Sequence, residues 1–247
     1  MLREFRADLH IHTCLSPCGD LKMSPAEIAR EAVNKRLRLI AICDHNSSEN
    51  SGAVIKASQG KGLTVLPGIE VASKEEVHVC ALFDQLDEAL ELQALIYDHL
   101  DGENDEKVFG MQVVVNAEGE VLDFNPRLLI GATRLSVEKI VESIHSLNGL
   151  AVAAHIDREG FGIIGQLGFI PPQLKFDALE ISPRTGLDEA RQRFSEYEIY
   201  PFLCSSDAHD LEAIGSGATT LLLKEASFEE LKMALKGEGG RRIVRDG

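Results

Sequence analysis

Six of the eight histidines in this 247-residue chain stand at or just past the end of an apolar, strand-like run, in the company of carboxylates. The groups read His10-Ile11-His12, Asp44-His45, Glu70 followed by His78, then His155, and Asp207-Ala208-His209. In extended backbone, residues i and i+2 project to one face, so His10 and His12 point the same way, as do Asp207 and His209. Neutral imidazoles and carboxylates suit zinc, manganese or iron, and soft sulfur ligands are not required. Divalent ions held close together have a definite use: they acidify a bound water toward neutral pH and clamp phosphoryl oxygens during in-line attack. Ser205 and Ser206 lack the surroundings of a nucleophile elbow and read as loop hydroxyls. The chain has neither a phosphate-cradling Gly-x-x-x-x-Gly-Lys-Ser/Thr loop nor a dinucleotide fingerprint, so metals are the expected cofactors.

These side chains need a scaffold that gathers them. Strand-like segments at Phe5–Leu9, Leu39–Cys43, Thr64–Ile69, Val77–Phe83, Leu150–Ala154, Ala178–Ile181, Pro201–Cys204 and Thr219–Leu223 alternate with amphipathic ones, the pattern of βα units and a parallel sheet. Ser24-Pro25-Ala26-Glu27 carries helix-start signals, as does Ser227 with Glu230, and further helices are expected over Asp84–His99, Val137–Leu147 and Leu187–Tyr197. Residues 100–131 break the alternation. An acidic, glycine-containing loop leads into Gln112–Val115, a turn at Asn116–Gly119 and Val121–Phe124, which reads as an inserted β-hairpin. In parallel α/β folds ligands bind beyond the carboxyl ends of the strands, where these clusters lie, and closing the sheet would bring them into one pocket.

Length and a 44% hydrophobic content allow one full core, so residues 1–247 are expected to form a single domain carrying the insertion. The formal charge of -15, from 40 acidic and 25 basic residues, argues against a sequence-independent grip on a long nucleic acid duplex. It leaves room for a small anionic substrate, because metal ions make a site locally positive. The N-terminal residues show no apolar signal core and no run is long enough to span a bilayer, so the expectation is a cytoplasmic protein without a membrane partner. The five cysteines are odd in number and form no Cys-x-x-Cys pair, which speaks against a disulfide framework; Cys43, Cys80 and Cys204 read as small buried hydrophobes.

The segments Ala7-Asp8-Leu9-His10-Ile11-His12-Thr13, Asp44-His45-Asn46, Pro67-Gly68-Ile69-Glu70, Val77-His78-Val79, Leu150 to His155 and Ser206-Asp207-Ala208-His209 together resemble the ordered motif set of the PHP (polymerase and histidinol phosphatase) family. Any one piece is weak; their order along nearly the whole chain outside the insertion is specific. The resemblance implies a distorted (β/α)7 barrel binding up to three divalent metals. It implies that His10, His12, Glu70 and Asp207 hold the first, that Glu70 bridges to a second held by His78 and His155, and that His45 and His209 hold the third. The third metal's remaining ligand differs among relatives: one register lands on Cys18, another on Asp20, and Asp20 is preferred because a carboxylate matches the other ligands. Asp44 stands between orienting a ligand and capping a turn.

A phosphate also needs fixed donors, and the forked guanidinium of arginine suits that task. Arg158, three residues after His155, and Arg184, after the strand ending at Ile181, are the expected substrate contacts, with Arg134 a weaker candidate. The expected function is hydrolysis of a small phosphomonoester or short nucleotide-type substrate by a metal-activated hydroxide. Alternatives are an exonuclease acting on short single strands and a metal-binding regulatory module without catalysis.

Overall fold

The computed structural model describes residues 1–244. Its elements in chain order are β1 Arg3–Ile11, α1 Pro25–Asn34, β2 Leu39–Ile42, α2 Ser51–Ser58, β3 Thr64–Ala72, β4 His78–Leu82 and α3 Leu86–Tyr97. The insertion follows, with α4 Glu106–Phe109, β5 Val113–Val115 and β6 Val121–Phe124. Then come α5 Val137–Ser146, β7 Leu150–Ala153, α6 Ile163–Leu167, β8 Ala178–Ile181, α7 Leu187–Arg193, β9 Phe202–Cys204, β10 Thr219–Leu223, α8 Phe228–Leu235 and β11 Arg242–Ile243. The expected strands and hairpin are present, while α2, α4, α6 and β11 are additions that the sequence pattern did not announce.

Nine strands form one sheet in the order β11-β10-β1-β2-β3-β4-β7-β8-β9. The sheet curls until its ends nearly meet, giving a distorted barrel. Beyond β9, Ala208 pairs with Ile11 through hydrogen bonds from His12 N to Ala208 O and from Ala208 N to His10 O. The Thr219 hydroxyl adds a second clasp, accepting from Cys204 N and donating to Cys204 O. Not all strands are parallel, in contrast to the simple βα expectation. Only a Ser73–Val77 turn joins β3 to β4, closed by Ser73 N donating to Val77 O, and five residues cannot make a parallel crossover. So β4 runs antiparallel to β3 and to β7, and β10 runs antiparallel to β1.

Alternate residues fill the barrel: Phe5, Ala7, Leu9, Leu39, Ala41, Leu66, Cys80, Leu82, Leu150, Val152, Ala178 and Leu203 pack with one another inside. The other faces bear Ile40, Ile42 and Val65 against α1 and α2, or Val79, Ala81, Ala151 and Leu179 against α3, α5, α6 and α7. In α1 the proline opens the first turn and Ile28, Ala29 and Ala32 are buried, although Ser24 makes no side-chain cap bond. Ser136 and Ser227 do cap α5 and α8 through Lys139 N and Glu230 N. All five cysteines are free, and Cys43, Cys80 and Cys204 are buried as expected.

Candidate metal centre

One irregularity decides which way the first histidines face. The β1–β2 register shifts between Asp8 and Ile11. Leu9 still packs inside the barrel, yet Ile11 packs outside with Ile28 and Ile42. This bulge exchanges the faces, so that His10 and His12 point into the barrel mouth above the apolar interior. On β3 no shift is needed, because Leu66, Gly68 and Glu70 share the inner face. A side chain at Gly68 would lie 2.7 Å from Ala81 O and 2.9 Å from Ile42 O, so only glycine fits between the neighbouring strands. His78 opens β4, and the reversed direction of that strand brings its first residue to the same mouth.

The result is a buried cluster assembled from distant segments. His10 Nε2 and His12 Nε2 are 3.1 Å apart, and His12 Nε2 lies 3.0 Å from Asp207 Oδ1. Glu70 reaches the same point, with its carboxylate 3.4 Å from both Nε2 atoms. Glu70 Oε1 also meets His78 Nδ1 at 2.8 Å and His155 Nε2 at 3.1 Å. His12, His45 and His209 bring a further three ring nitrogens within 4.8 Å of one another. Four of the surrounding residues with side chains hold left-handed backbone, Asn46 at φ 51°, His155 at φ 31°, Phe161 at φ 63° and Asp207 at φ 50°; strain of this kind concentrates at functional sites.

The partners behind the histidines set which nitrogen each presents. His10 Nδ1 faces Glu180 Oε1 at 2.9 Å and donates to it, which leaves the Nε2 lone pair directed inward. Ser16 Oγ donates to Asp44 Oδ1, so it accepts from His12 Nδ1 at 2.8 Å, and His12 Nε2 likewise offers a lone pair. His209 Nδ1 donates to Asp207 O. The centre is therefore lined by acceptors: imidazole lone pairs and the Glu70 and Asp207 carboxylates. Glu70 Oε2 is buried without a hydrogen-bond partner, since His45 Nδ1, although 2.9 Å away, lacks the angle of one. A cation satisfies such a set, and the donor chemistry fits a divalent metal.

The electrostatics carry the same message. Burial lowers the His10 pKa, but Glu180, Glu70 and Asp207 outweigh it and hold that imidazole well above its usual range. Burial dominates at His12, and with the His209 charge it takes the ring well below that range. Burial works against the Glu70 carboxylate, yet His78, His10 and His45 keep it far below the ordinary range. A proton and a metal ion therefore compete for the His10 Nε2 lone pair.

The remaining expected residues divide. Asp44 is fully buried behind the cluster, accepting from Thr13 N, Thr13 Oγ1 and Ser16 Oγ, so it holds the loop that steadies His12. Asp20 is exposed and its carboxylate accepts from Lys22 N, outside the cluster. Cys18 is exposed on its outer side, while its thiol turns to the pocket. Burial raises its pKa, but hydrogen bonding with His209 and His45 prevails and draws it down to about 6. Arg158 Nη1 meets Asp207 Oδ2 at 2.6 Å and lines the pocket. Arg184 is exposed outside the pocket lining, and Arg134 pairs with Asp101 and the end of α3.

Sequence reading passed over Glu180 and Asp8. Both are acids inside apolar strands, and that is the signal that marks them. Asp8 accepts from Ser206 N, Ser206 Oγ and Gly215 N and fixes the loop bearing Asp207; burial raises it to about 6. The cavity over the cluster measures about 240 Å3 and is lined by Cys18, His45, His78, Ile130, Arg158 and Phe161 among others. Two larger clefts, of about 430 and 500 Å3, open at the other end of the barrel, and among the described residues Glu198 is the only carboxylate lining either. Chemistry, not volume, identifies the site.

The chain resembles known proteins in sequence and in fold. The chain is 33% identical over 117 residues to the uncharacterized protein YqxK of Bacillus subtilis, a match covering 45% of this chain and 29% of that one. The lesion-specific endonuclease Q of Pyrococcus furiosus superposes with a TM-score of 0.75 at 22% identity, over 98% of this chain and 58% of the endonuclease. Endonuclease Q has also been solved with a 27-mer duplex substrate bearing an abasic lesion at the active site. A candidate metal-dependent phosphoesterase from Bifidobacterium adolescentis matches with a TM-score of 0.60 at 17% identity, over 94% and 96% of the two chains. The chain thus spans well under two thirds of both YqxK and endonuclease Q. Among family models, the PHP domain matches residues 8–179, from the strand that carries the first histidine pair to the strand that ends beside Glu180, and the PHP-associated model matches residues 187–238. With more than half of its length in that match and its histidines and acids gathered at one barrel mouth, the chain belongs to the PHP family.

Proposed function

We propose that this protein is a metal-dependent phosphoesterase. The observation that carries the reading is the buried, acceptor-only cluster of His10, His12, Glu70 and Asp207, with the unpartnered Glu70 Oε2 at its centre. In this reading those four residues hold one divalent ion, Glu70 with His78 and His155 a second, and His45 with His209 a third. Cys18 is better placed than Asp20 to complete the last set. Bound divalent ions supply an acidified water and a clamp for phosphoryl oxygens. The protein's own contribution is to fix the imidazole tautomers through Glu180, Ser16 and the Asp207 carbonyl, and to bring a guanidinium to the phosphate. Arg158 fills that last role, since it adjoins Asp207 and opens to the cavity.

The substrate in this reading is a small phosphomonoester or short nucleotide-type ester. A nuclease is the second reading, favoured by the match of endonuclease Q to 98% of this chain. That relative's duplex complex weighs against the expectation that long duplexes are excluded, whereas the charge of -15 weighs for it.

The test combines metal content with hydrolysis of phosphomonoesters, phosphodiesters, single strands and duplexes by the same purified sample. His10→Ala and Asp207→Ala are expected to lose metal and turnover; unchanged metal stoichiometry in both would sink the assignment. Arg158→Ala is expected to keep its metal and lose one to two decades of kcat/KM, the scale of about 1.5–3 kcal/mol for a charge-assisted hydrogen bond. Loss of metal there would make Arg158 a support of Asp207 instead.

A further inference from the structure

Two apolar side chains stand at the rim of this otherwise polar cavity, and neither is there by default. Phe161 is 48% exposed, and its backbone is left-handed at φ 63°, a conformation rare for a bulky residue. The loop enforces it. Phe161 O accepts from His78 N, and a side chain on the next residue, Gly162, would meet Arg158 O at 2.6 Å and His155 O at 2.8 Å. One face of the Phe161 ring stacks on His78 with centroids 4.6 Å apart and planes 17° from parallel. The ring lines the cavity, so its free surface is open to an occupant.

Ile130, 38% exposed, comes from the end of the insertion and lines the same cavity. The side-chain amide of Asn46, the residue after His45, donates to both Leu129 O and Gly131 O, so that Ile130 is gripped on either side. Each apolar group is thereby fastened to the neighbour of, or to the backbone of, a cluster histidine. Burial of apolar area in the folded state does not explain them, because both remain exposed.

We infer that Phe161 and Ile130 form a clamp for a planar heteroaromatic group, so that the substrate is a nucleoside phosphate whose base stacks on Phe161 while its phosphoryl group lies at Arg158 and the histidine cluster. This rests on the phosphoesterase reading above and specifies its substrate. Spacing favours a base over a ring joined directly to phosphate. A second ring stacked on the outer face of Phe161 lies roughly 9 Å from His78, taking about 4.5 Å for each stacking interval, with the Phe161 ring in between, so only a group that carries its phosphate on a spacer of sugar length can pass the edge of Phe161 and reach the cluster. Arg158 and the cluster lie on the polar side of the same cavity, so the two ends of a nucleotide meet matching surfaces. A mononucleotide and the terminal residue of an oligonucleotide share this chemistry.

The test is calorimetric titration of the metal-loaded protein with adenosine 5′-phosphate, a 5′-phosphorylated single-stranded tetranucleotide and glycerol 3-phosphate, alongside hydrolysis of all three. The wild type is expected to bind one or both nucleotides at least tenfold more tightly than glycerol 3-phosphate. In Phe161→Gly and Ile130→Ala that ratio falls by about tenfold, the effect of removing one stacking partner, and Phe161→Tyr restores it. Preference for the mononucleotide or for the tetranucleotide identifies the source of the base. Equal binding of all three esters by the wild type, or a ratio unmoved in both variants, would overturn the clamp while leaving the hydrolase intact. Nucleotide binding that depends on Phe161 without hydrolysis of any ester would instead uphold the clamp and defeat the phosphoesterase.

Discussion

His10 and His12 present lone pairs to one point because their other ring nitrogens are already engaged. Removing such an orienting partner is expected to loosen the metal without touching a ligand. Glu180→Gln therefore lowers metal affinity by about tenfold to a hundredfold, read by competition with a chromogenic chelator, while far-ultraviolet dichroism stays native. If affinity is unchanged, Glu180 does not set the His10 tautomer. Cys18 offers a second residue-scale measurement. With its thiol drawn down to about 6 by His209 and His45 against the effect of burial, the thiolate predominates above that pH. In chelator-stripped protein, Cys18 is expected to be alkylated by iodoacetamide half-maximally near pH 6, with metal protecting it. The four other cysteines are buried and react slowly. A half-maximum in the ordinary thiol range, or no protection by metal, would return the third position to Asp20.

At the scale of elements, the barrel is held shut by few bonds. The Thr219 hydroxyl serves Cys204 N and Cys204 O together at the seam between β9 and β10. Thr219→Val keeps the shape and leaves both groups without that partner, so unfolding free energy is expected to fall by about 1–3 kcal/mol in a denaturant titration, with Thr219→Ser recovering most of it. A change within error would show that the seam depends on the Ala208 bridge alone. Most strands were legible because apolar runs of the right length end in turn residues, and the hairpin announced itself through Asn116 to Gly119. Two features were not. The bulge between Asp8 and Ile11 has no local sign, since it is a matter of register with β2, a strand 30 residues away. The reversal of β4 hangs on a turn whose brevity shows only once both strand ends are known. The clustering of the histidines could be read because their chemistry is in the residue type, whereas Phe161 and Ile130 could not, being ordinary apolar residues distinguished by exposure.

At the scale of the whole molecule, the cluster draws side chains from β1, β3 and β4 and from the segments after β2, β7 and β9. We read the two family-matched regions as one folding unit, because β9 and β10 of the second lie in the same sheet as β1 of the first. Metal bound across that unit is expected to raise the melting temperature, by the equivalent of about 2.7 kcal/mol for a site held at a hundredfold excess over its Kd. Chelator reverses the shift. The effect depends on pH in a fixed direction: His10 is held protonated above its usual range by Glu180, Glu70 and Asp207 despite burial, and the metal must displace that proton. Metal stabilisation therefore shrinks as pH falls, and loading releases protons, which calorimetry in buffers of different ionisation enthalpy detects. A stabilisation that does not vary with pH would contradict the shared role of those lone pairs. Among the described residues no helix is long and apolar enough to cross a membrane.

The backbone bridge between Ala208 and the His10–His12 segment joins two regions of the chain that a ribosome makes far apart in time. Synthesis proceeds from the N-terminus, so the first histidine pair is made before Asp207 and waits while nearly two hundred further residues are added. Asp207 comes only then, and Thr219 of the seam follows it. Until then His10 and His12 lack their acidic counterpart, and the mouth of the barrel has a missing wall. Metal acquisition is thus a late event in the life of each molecule, and a nascent chain halted before Asp207 is expected to bind metal weakly. Capture of the ion marks a barrel that has closed.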